Sequence, residues 1–517
     1  MGRKCSAGAR LGRQWQRRAG VPFGALLMLW HMSAFAAQWQ MHPSLQLSET
    51  YTDNVALDPP GNEKTEFVTQ INPGVSLHGE GGHIRLDLNY RLQNLIYAGD
   101  ASSNASHHQL AASGNAELVK DIFFVDARSS ISQQIVNANG PVGIDNLNIG
   151  NQADVFTYGL SPYLKLRMAS YANAELRYSV DRVENQSANI SDAESQQYSL
   201  HMNSGPRFER LQWDADYRRQ DMNLSTGEDS RYQSANADMR YHLLTAWNFL
   251  ARGGQEDNTL QTVTDPHNGS YWSAGLEWMP SPRITASATT GYNNWDADLS
   301  LQPSERTSFH VGYRERDVGL VRGPSWNAAL SHRTRRTTWQ ASYIEESTTV
   351  QALQLTGRQF FHLVDSQGNL IVDPNSGLPI VLVRNIFSLT DQEFIRKRGQ
   401  FSVAMNTGKS DIVLSVFDER RSYSLSNTSE DAVGSTVSWT RQVSPRTHTV
   451  VGGGWQRTDL SGSDNHDDLW HGDLALVHRL SQDANASLEY SHMQRNSISA
   501  NSDYDENRVT AQLDMRF

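Results

Sequence analysis

Apolar and polar residues alternate one for one along most of this chain. In "IRLDLNYRLQNLIY", Ile84, Leu86, Leu88, Tyr90 and Leu92 share one face, and Arg85, Asp87, Asn89, Arg91 and Gln93 share the other. The same period recurs in "VFTYGLSPYLKL" (Phe156, Tyr158, Leu160, Pro162, Leu164, Leu166) and in "ANAELRYSV" (Ala172, Ala174, Leu176, Tyr178, Val180). It returns in "LQWDADYR" (Leu211, Trp213, Ala215, Tyr217), "ITASATTGY" (Ile284, Ala286, Ala288, Tyr292) and "ASLEYSH" (Ala486, Leu488, Tyr490). The chain also ends on it: in "NRVTAQLDMRF", Val509, Ala511, Leu513, Met515 and Phe517 alternate with Thr510, Gln512, Asp514 and Arg516. A period of two is that of a β-strand with one apolar and one polar face. The repeats predict about twenty-four antiparallel strands, within a range of 18–26.

Two architectures fit such strands. In a soluble sandwich the apolar faces meet each other; in a membrane barrel they meet lipid and the polar faces line a lumen. Two features favour the barrel. Trp213, Trp247, Trp278, Trp339, Trp439, Trp455 and Trp470 fall on apolar faces near strand ends, as interfacial girdles do. The connections also alternate in length. Short turns at Lys120-Asp121, Met168–Ser170, Leu244–Ala246, Ser281–Arg283, Thr334–Thr337, Thr407–Lys409 and Ser444–Arg446 interleave with longer ones, the pattern of periplasmic turns and extracellular loops. A closed barrel also pairs its last strand with its first and leaves no edge. The expected fold is therefore all-β, a transmembrane antiparallel β-barrel of the outer-membrane type without a plug domain. Twenty-four tilted strands make a barrel on the order of 45–50 Å across, too wide for side chains alone to fill.

The N-terminus refines this picture. Arg3, Lys4, Arg10, Arg13, Arg17 and Arg18 precede the apolar run "VPFGALLMLWHMSAFA", and Ala34-Phe35-Ala36 fits a small-x-small cleavage site. Residues 1–36 are expected to be a signal peptide, the mature barrel spanning 37–517 and beginning at Ala37 or Gln38. The one cysteine, Cys5, lies inside that leader, so no disulfide framework or thiol chemistry is expected. Only about eight residues separate the leader from the first expected strand, too few for a receptor's plug. The longest connection, 347–397, is the candidate constriction or lid, whether it stays extracellular or folds inward; it contains a hairpin expected around Gln367-Gly368-Asn369.

Charge excludes one class of partner. The chain carries 45 basic and 56 acidic residues, and the six basic residues of the leader deepen the acidic excess once it is removed. A nucleic-acid binder would be basic. The acidity sits in long connections such as "DNVALDPPGNEKTE", "DRVENQSANISDAE", "SGSDNHDDL" and "NSDYDEN", while short turns carry Arg167, Arg210, Arg283, Arg335, Arg336, Lys409 and Arg446. Outer-membrane lipid and lipopolysaccharide are the expected surroundings, the acidic loops either bridging divalent cations to polymer or serving solubility. The mean hydropathy of −0.57 fits a barrel whose lumen and loops are wet.

No enzyme motif stands out. There is no G-x-S-x-G elbow, phosphate loop or H-E-x-x-H. "HDDLWHGD" (His466, Asp467, Asp468, His471, Asp473) has metal-ligand residue types, but reads as a polar loop leading into a strand. No catalytic, cofactor-binding or metal residue is assigned, and no cofactor is expected.

The segments "ETYTDNVAL" (49–57), "INPGVSLHGEGGHIRLDLNYRLQNLIYAGD" (71–100), "GLEWMPSPR" (275–283) and "LSHRTRRTTWQASYIEESTT" (330–349) resemble a known family. It is the large outer-membrane β-barrel proteins associated with PEP-CTERM and exopolysaccharide loci. The resemblance runs along most of the mature chain and departs around 293–325, where an extra hairpin ("NWDADLSLQP…SFHVGYRERDV") is inserted. It implies passage or presentation of extracellular polysaccharide, with a periplasmic export protein as a possible partner, and brings no catalytic residues.

Two classes of function stay open: a polymer-conducting pore, and a structural or binding protein that anchors exopolymer or PEP-CTERM surface proteins. The polar faces supply the candidate lumen-lining residues Arg85, Arg91, Arg128, Arg177, Arg207, Arg252, Arg314, Arg441 and Arg516, set among carboxylates and amides. Arginine hydrogen-bonds carboxylates and hydroxyls while staying ionised. Many weak contacts suit transit, because a site that conducts must release as readily as it binds. The plainer role of these residues is to pair across strands and stiffen the wall. Phe517 is expected to be an assembly signal read by the barrel-insertion machinery.

Overall fold

The computed structural model describes residues 38–136, 140–143, 147, 149–187, 190–226, 229–259, 268–319, 321–356, 361–362, 381–383, 393–423, 426–460, 466–498 and 502–517. The expected signal peptide and the expected hairpin at Gln367-Gly368-Asn369 lie outside them. The strands are β1 (Gln38–Thr52), β2 (Glu66–Glu80), β3 (Ile84–Tyr97), β4 (Ala105–Val119), β5 (Phe123–Ile135), β6 (Gln152–Met168), β7 (Ala172–Asn185), β8 (Ala193–Ser204) and β9 (Leu211–Leu224). Next come β10 (Ser230–Leu244), β11 (Trp247–Asn258), β12 (Gly269–Ser281), β13 (Ile284–Tyr292), β14 (Asn294–Ser304), β15 (Thr307–Arg316), β16 (Gly323–Arg333) and β17 (Thr337–Thr348). After a short helix, α1 (Val350–Thr356), two brief strands pair only with each other, β18 (Phe361–His362) and β19 (Val381–Val383). The wall resumes with β20 (Phe394–Asn406), β21 (Ser410–Tyr423), β22 (Thr428–Ser444), β23 (Thr447–Leu460), β24 (His466–Arg479), β25 (Ala484–Ser497) and β26 (Tyr504–Arg516).

Twenty-four of these strands form one antiparallel sheet, each paired with its sequence neighbours. β26 closes it on β1, from Ser44 opposite Arg516 to Thr52 opposite Arg508. The terminal strand that the sequence leaves without a partner is thus paired on both sides, and the Phe517 N–H donates to the Pro43 carbonyl at 2.9 Å. Among the described residues no separately folded domain sits inside the barrel, and no helix is long and apolar enough to cross a membrane.

Alternation decides which side chain faces where. The period-two apolar residues point outward and stay accessible: Leu488 at 56%, Trp272 at 58% and Leu276 at 47%. Their polar neighbours point into the lumen, and near one end of the barrel they are packed away; Thr52 and Asn72 are 0% and 2% exposed. This inverts a soluble protein, whose apolar side chains would be the hidden ones.

Connection lengths sort the two ends. The short-turn end carries 81–83, 120–122, 169–171, 245–246, 282–283, 305–306, 334–336, 407–409 and 445–446. The opposite, long-loop end carries 53–65, 136–151, 259–268 and 349–393, but also the single-residue connection Asn293, held at φ 55°. Several strands run further than the sequence suggests. β7 and β8 enter "DRVENQSANISDAE", and β24 takes all of "HDDLWHGD". A cross-strand ion pair holds the extension of β24, from Arg457 to Asp468 at 2.8 Å, and another joins β21 to β22, from Arg420 to Asp431 at 2.5 Å.

Candidate functional site

The lumen divides into two regions with different chemistry. Toward the short-turn end its wall is polar and open. Arg128 on β5 reaches across β6 to Asp181 on β7, donating from Nε and Nη2 at 3.1 and 2.8 Å. Gly159 on β6 lies beneath this bridge, where any Cβ would collide with the Asp181 carboxylate. Arg177 likewise spans β6 to Asp126 at 2.6 Å, also holds Glu175 at 3.1 Å, and lies 3.8 Å over the Tyr163 ring. Arg252 pairs with Asp296 and with Asp238 at 3.2 Å. Arg91 donates to Gln46 at 3.3 Å, and Arg85 lies 3.6 Å from Asp87. Arg516 shares a small recess with Arg91, Ser44 and Asp514. Nearer the long-loop end of β14 and β15, where Asp296 also lies, Arg314 lines a wall cavity of about 940 Å³ with Asp298, His310 and Arg316.

Two of the expected lumen residues are elsewhere. Arg207 sits in the 205–210 turn, where its Nη1 donates to the Tyr171 hydroxyl at 2.9 Å and its guanidinium covers the Tyr171 ring. Arg441 shares parity with Val437, Trp439 and Val443 on the outward face, 6.0 Å from the Trp439 ring. Its long stem lets the charged head leave an apolar surface.

At the long-loop end, described residues of the 53–65, 136–151, 186–192 and 349–393 connections pack inward in small apolar clusters that the strand pattern does not reveal. From 136–151, Leu147 packs on Val68, Leu95 and Tyr97, and the Tyr97 hydroxyl donates to the Leu147 carbonyl at 2.6 Å. Val142 in the same connection packs on Ile135 and Leu469, and the Tyr504 hydroxyl donates to the Val142 carbonyl at 2.8 Å. From 53–65, Leu57 joins Met493 and Tyr504. From 349–393, α1 places Val350 and Leu353 against Phe394 and Tyr423 of β20–β21 and Ile190 beyond β7. Gln354 donates to Gln134 on β5 at 2.8 Å and to Asn185 on β7 at 3.3 Å. β5–β7 lie roughly half the circuit from β20–β21, so this short helix ties opposite walls together.

Behind α1 the wall is ionic and buried. Glu419 accepts from Arg396 at 2.8 Å, Arg421 at 2.9 Å and Arg398 at 3.3 Å, while Arg396 also holds Glu346 at 3.2 Å. Arg421 lies over the Phe394 ring. Removing one member of such a cluster leaves an uncompensated buried charge. Sequence reading passed over these arginines, although "FIRKRGQ" and "FDERRSY" place Arg396, Arg398, Glu419 and Arg421 on the polar parity of adjacent strands.

Metal-type residues are present but scattered. "HDDLWHGD" alternates, with His466 and Asp468 outward and Asp467, His471 and Asp473 inward. His201, Asp214 and Asp216 do converge, with His201 Nδ1 2.7 Å from Asp216. They are open to solvent, and the His201–Asp216 contact accounts for their arrangement, so no metal is assigned there.

No protein-family model and no curated protein sequence matches this chain. Solved barrels resemble it in shape. The FrpB iron transporter from Neisseria meningitidis (F3-3 variant) aligns at 10% identity and TM-score 0.46, covering 92% of this chain and 81% of that one. The siderophore receptor PirA from Acinetobacter baumannii aligns at 9% and 0.45 over 92% and 80%. Pseudomonas aeruginosa OpdK with vanillate gives 9% and 0.33 over 92% and 99%. At these values the likenesses bear on neither activity nor substrate.

Proposed function

We propose that this chain is an outer-membrane β-barrel taking part in exopolysaccharide export or surface presentation, acting without enzymatic chemistry as a polymer-conducting pore. The observation that carries the membrane reading is the outward belt of Leu, Val, Trp and Tyr side chains on a closed barrel. Such a belt needs lipid to cover it, and only a closed barrel leaves no unpaired sheet edge in the bilayer. Long loops at one end and short turns at the other then put the long-loop end outside and both strand termini in the periplasm.

The polymer reading rests on the lumen. Its periplasmic half is a wide vestibule of arginine, carboxylate and amide groups, already ion-paired and so able to offer many weak contacts rather than one tight site. The inward-turned connections around Leu147, Leu57 and α1 supply a gate at the outer mouth. That same packed mouth also favours the second reading, in which the barrel anchors exopolymer or surface proteins instead of conducting. Deleting the gene and measuring polymer in each compartment separates the two. Periplasmic accumulation with loss of secreted polymer is the expected result. Normal secretion with poor retention at the surface would replace the pore by the anchor.

A further inference from the structure

One local motif recurs where the strands turn. At Ser281-Pro282-Arg283, Ser304-Glu305-Arg306, Thr334-Arg335-Arg336 and Ser444-Pro445-Arg446, the last arginine's backbone N–H donates to the hydroxyl two residues before it, at 3.2–3.4 Å. Such a bond closes a tight turn, which accounts for the Ser or Thr. It does not account for the arginine. Ser481-Gln482-Asp483 makes the same bond at 3.2 Å with an aspartate in the arginine's place. The turn needs the hydroxyl alone, so the four arginines answer to something else.

These turns are neighbours on the short-turn rim. With Thr407-Gly408-Lys409 they join β12 to β13, β14 to β15, β16 to β17, β20 to β21 and β22 to β23, which follow one another around the wall. From first to last they span eight of the twenty-four strand steps, and each turn lies two strands, on the order of 10–13 Å, from the next. They carry six bases, Arg283, Arg306, Arg335, Arg336, Lys409 and Arg446, against one acid, Glu305. All six are exposed, and none makes an ion pair among the described residues. The rest of that rim is different. The 245–246 turn is uncharged, Lys120 adjoins Asp121, Arg210 adjoins Glu209, and His83 is bound to Glu117 at 2.8 Å. In the lumen, Arg128, Arg177 and Arg252 are ion-paired.

An evenly spaced row of uncommitted bases suits a linear polyanion. Each guanidinium can take a carboxylate or sulfate through two parallel hydrogen bonds without first giving up an ion pair of its own. Lipid headgroups fit less well, because lipid surrounds the barrel on every side and the row occupies one side only. The chain as a whole is acidic, with 56 acidic to 45 basic residues, so this row is the place where it attracts such a polymer instead of repelling it.

We propose that the row is the landing site for an acidic polysaccharide, one that carries carboxylate or sulfate groups at regular intervals, at the periplasmic entrance of the barrel. It holds the incoming polymer beside the vestibule, whose charges are already paired and let it slide on. The inference rests on the export reading above and deepens it by naming the polymer's charge.

The test uses the full barrel in nanodiscs of phosphatidylethanolamine, titrated with polygalacturonate and, separately, with dextran of equal length. Polygalacturonate should bind, dextran should not, and the binding should weaken as salt is raised. Arg306→Gln, Arg336→Gln and Arg446→Gln together should weaken it at least tenfold. The same change of charge elsewhere on the rim, Lys120→Gln with Arg167→Gln and Arg210→Gln, should change it less than twofold. Heat-modifiable gel migration checks that each barrel is folded. If the first triple is not, Arg446→Asp, which copies the 481–483 turn, serves instead and should weaken binding at least threefold. No binding of polygalacturonate, equal binding of dextran, or equal loss in the two triples overturns the landing site. So does phosphatidylglycerol that co-purifies with the unaltered barrel and is lost from the first triple while polygalacturonate binding stays unmoved, which would make the row a headgroup site. If polygalacturonate binds as described but polymer secretion survives deletion of the gene, the export reading falls and the anionic site stands.

Discussion

Arg128, Gly159 and Asp181 show how the wall depends on what one residue lacks. The guanidinium crosses β6 only because position 159 carries no side chain, and Asp181 is almost fully buried beneath it. Gly159→Val should displace the bridge and leave that carboxylate poorly paired, lowering stability by about 1–3 kcal/mol in urea titrations of the folded barrel. Arg128→Ala should cost somewhat less, because it leaves the same carboxylate poorly paired without the clash that a side chain at 159 adds. A second pair of substitutions tests the faces. Leu276→Arg places a charge in the belt and should cost about 2–4 kcal/mol at mid-bilayer depth, whereas Thr285→Arg, on the lumen face, should fold normally. Equal loss of heat-modifiable protein from both would mean the faces are wrongly assigned. Parity made most arginine positions readable in the sequence. The two exceptions had signals of their own: Arg441 shares parity with the girdle residue Trp439, and Gly205-Pro206 marks the turn that holds Arg207.

At the scale of elements, the strands were legible because a period of two is written into each of them, and the short turns because the pattern breaks there. The inward packing of Val142, Leu147 and α1 was not legible. It rests on isolated apolar residues, Val142, Leu147 and Leu353, that follow no period and find partners only through the barrel's closure. Leu353 is 1% exposed, so Leu353→Asp should undock α1 at a local cost of about 2–5 kcal/mol. Hydrogen exchange should then rise at Val350–Thr356 and at Phe394 and Tyr423 while the barrel strands stay protected. Unchanged protection of α1 would show that it does not hold the mouth.

For the whole molecule, closure brings β26 and Phe517 against β1. Phe517 is 70% exposed on the outward face, and its backbone anchors to Pro43. Removing it deletes one hydrogen bond and no packed side chain, so its predicted effect is on insertion: less barrel should reach the membrane, and what does should be fully folded. Normal insertion with lost transport would assign Phe517 a different role. In the proposed reading, a hydrated polymer enters the lumen from the periplasm and its passage is controlled at the outer mouth.

That account is tested most directly by conductance in planar bilayers. In the proposed reading, in which the inward-packed connections gate the outer mouth, the intact barrel should insert and conduct little, while Leu353→Asp, or removal of residues 350–392, should give a large, steady conductance. Inserted barrels that pass no current in any of these forms would contradict a gated pore and leave the anchor as the reading of this protein.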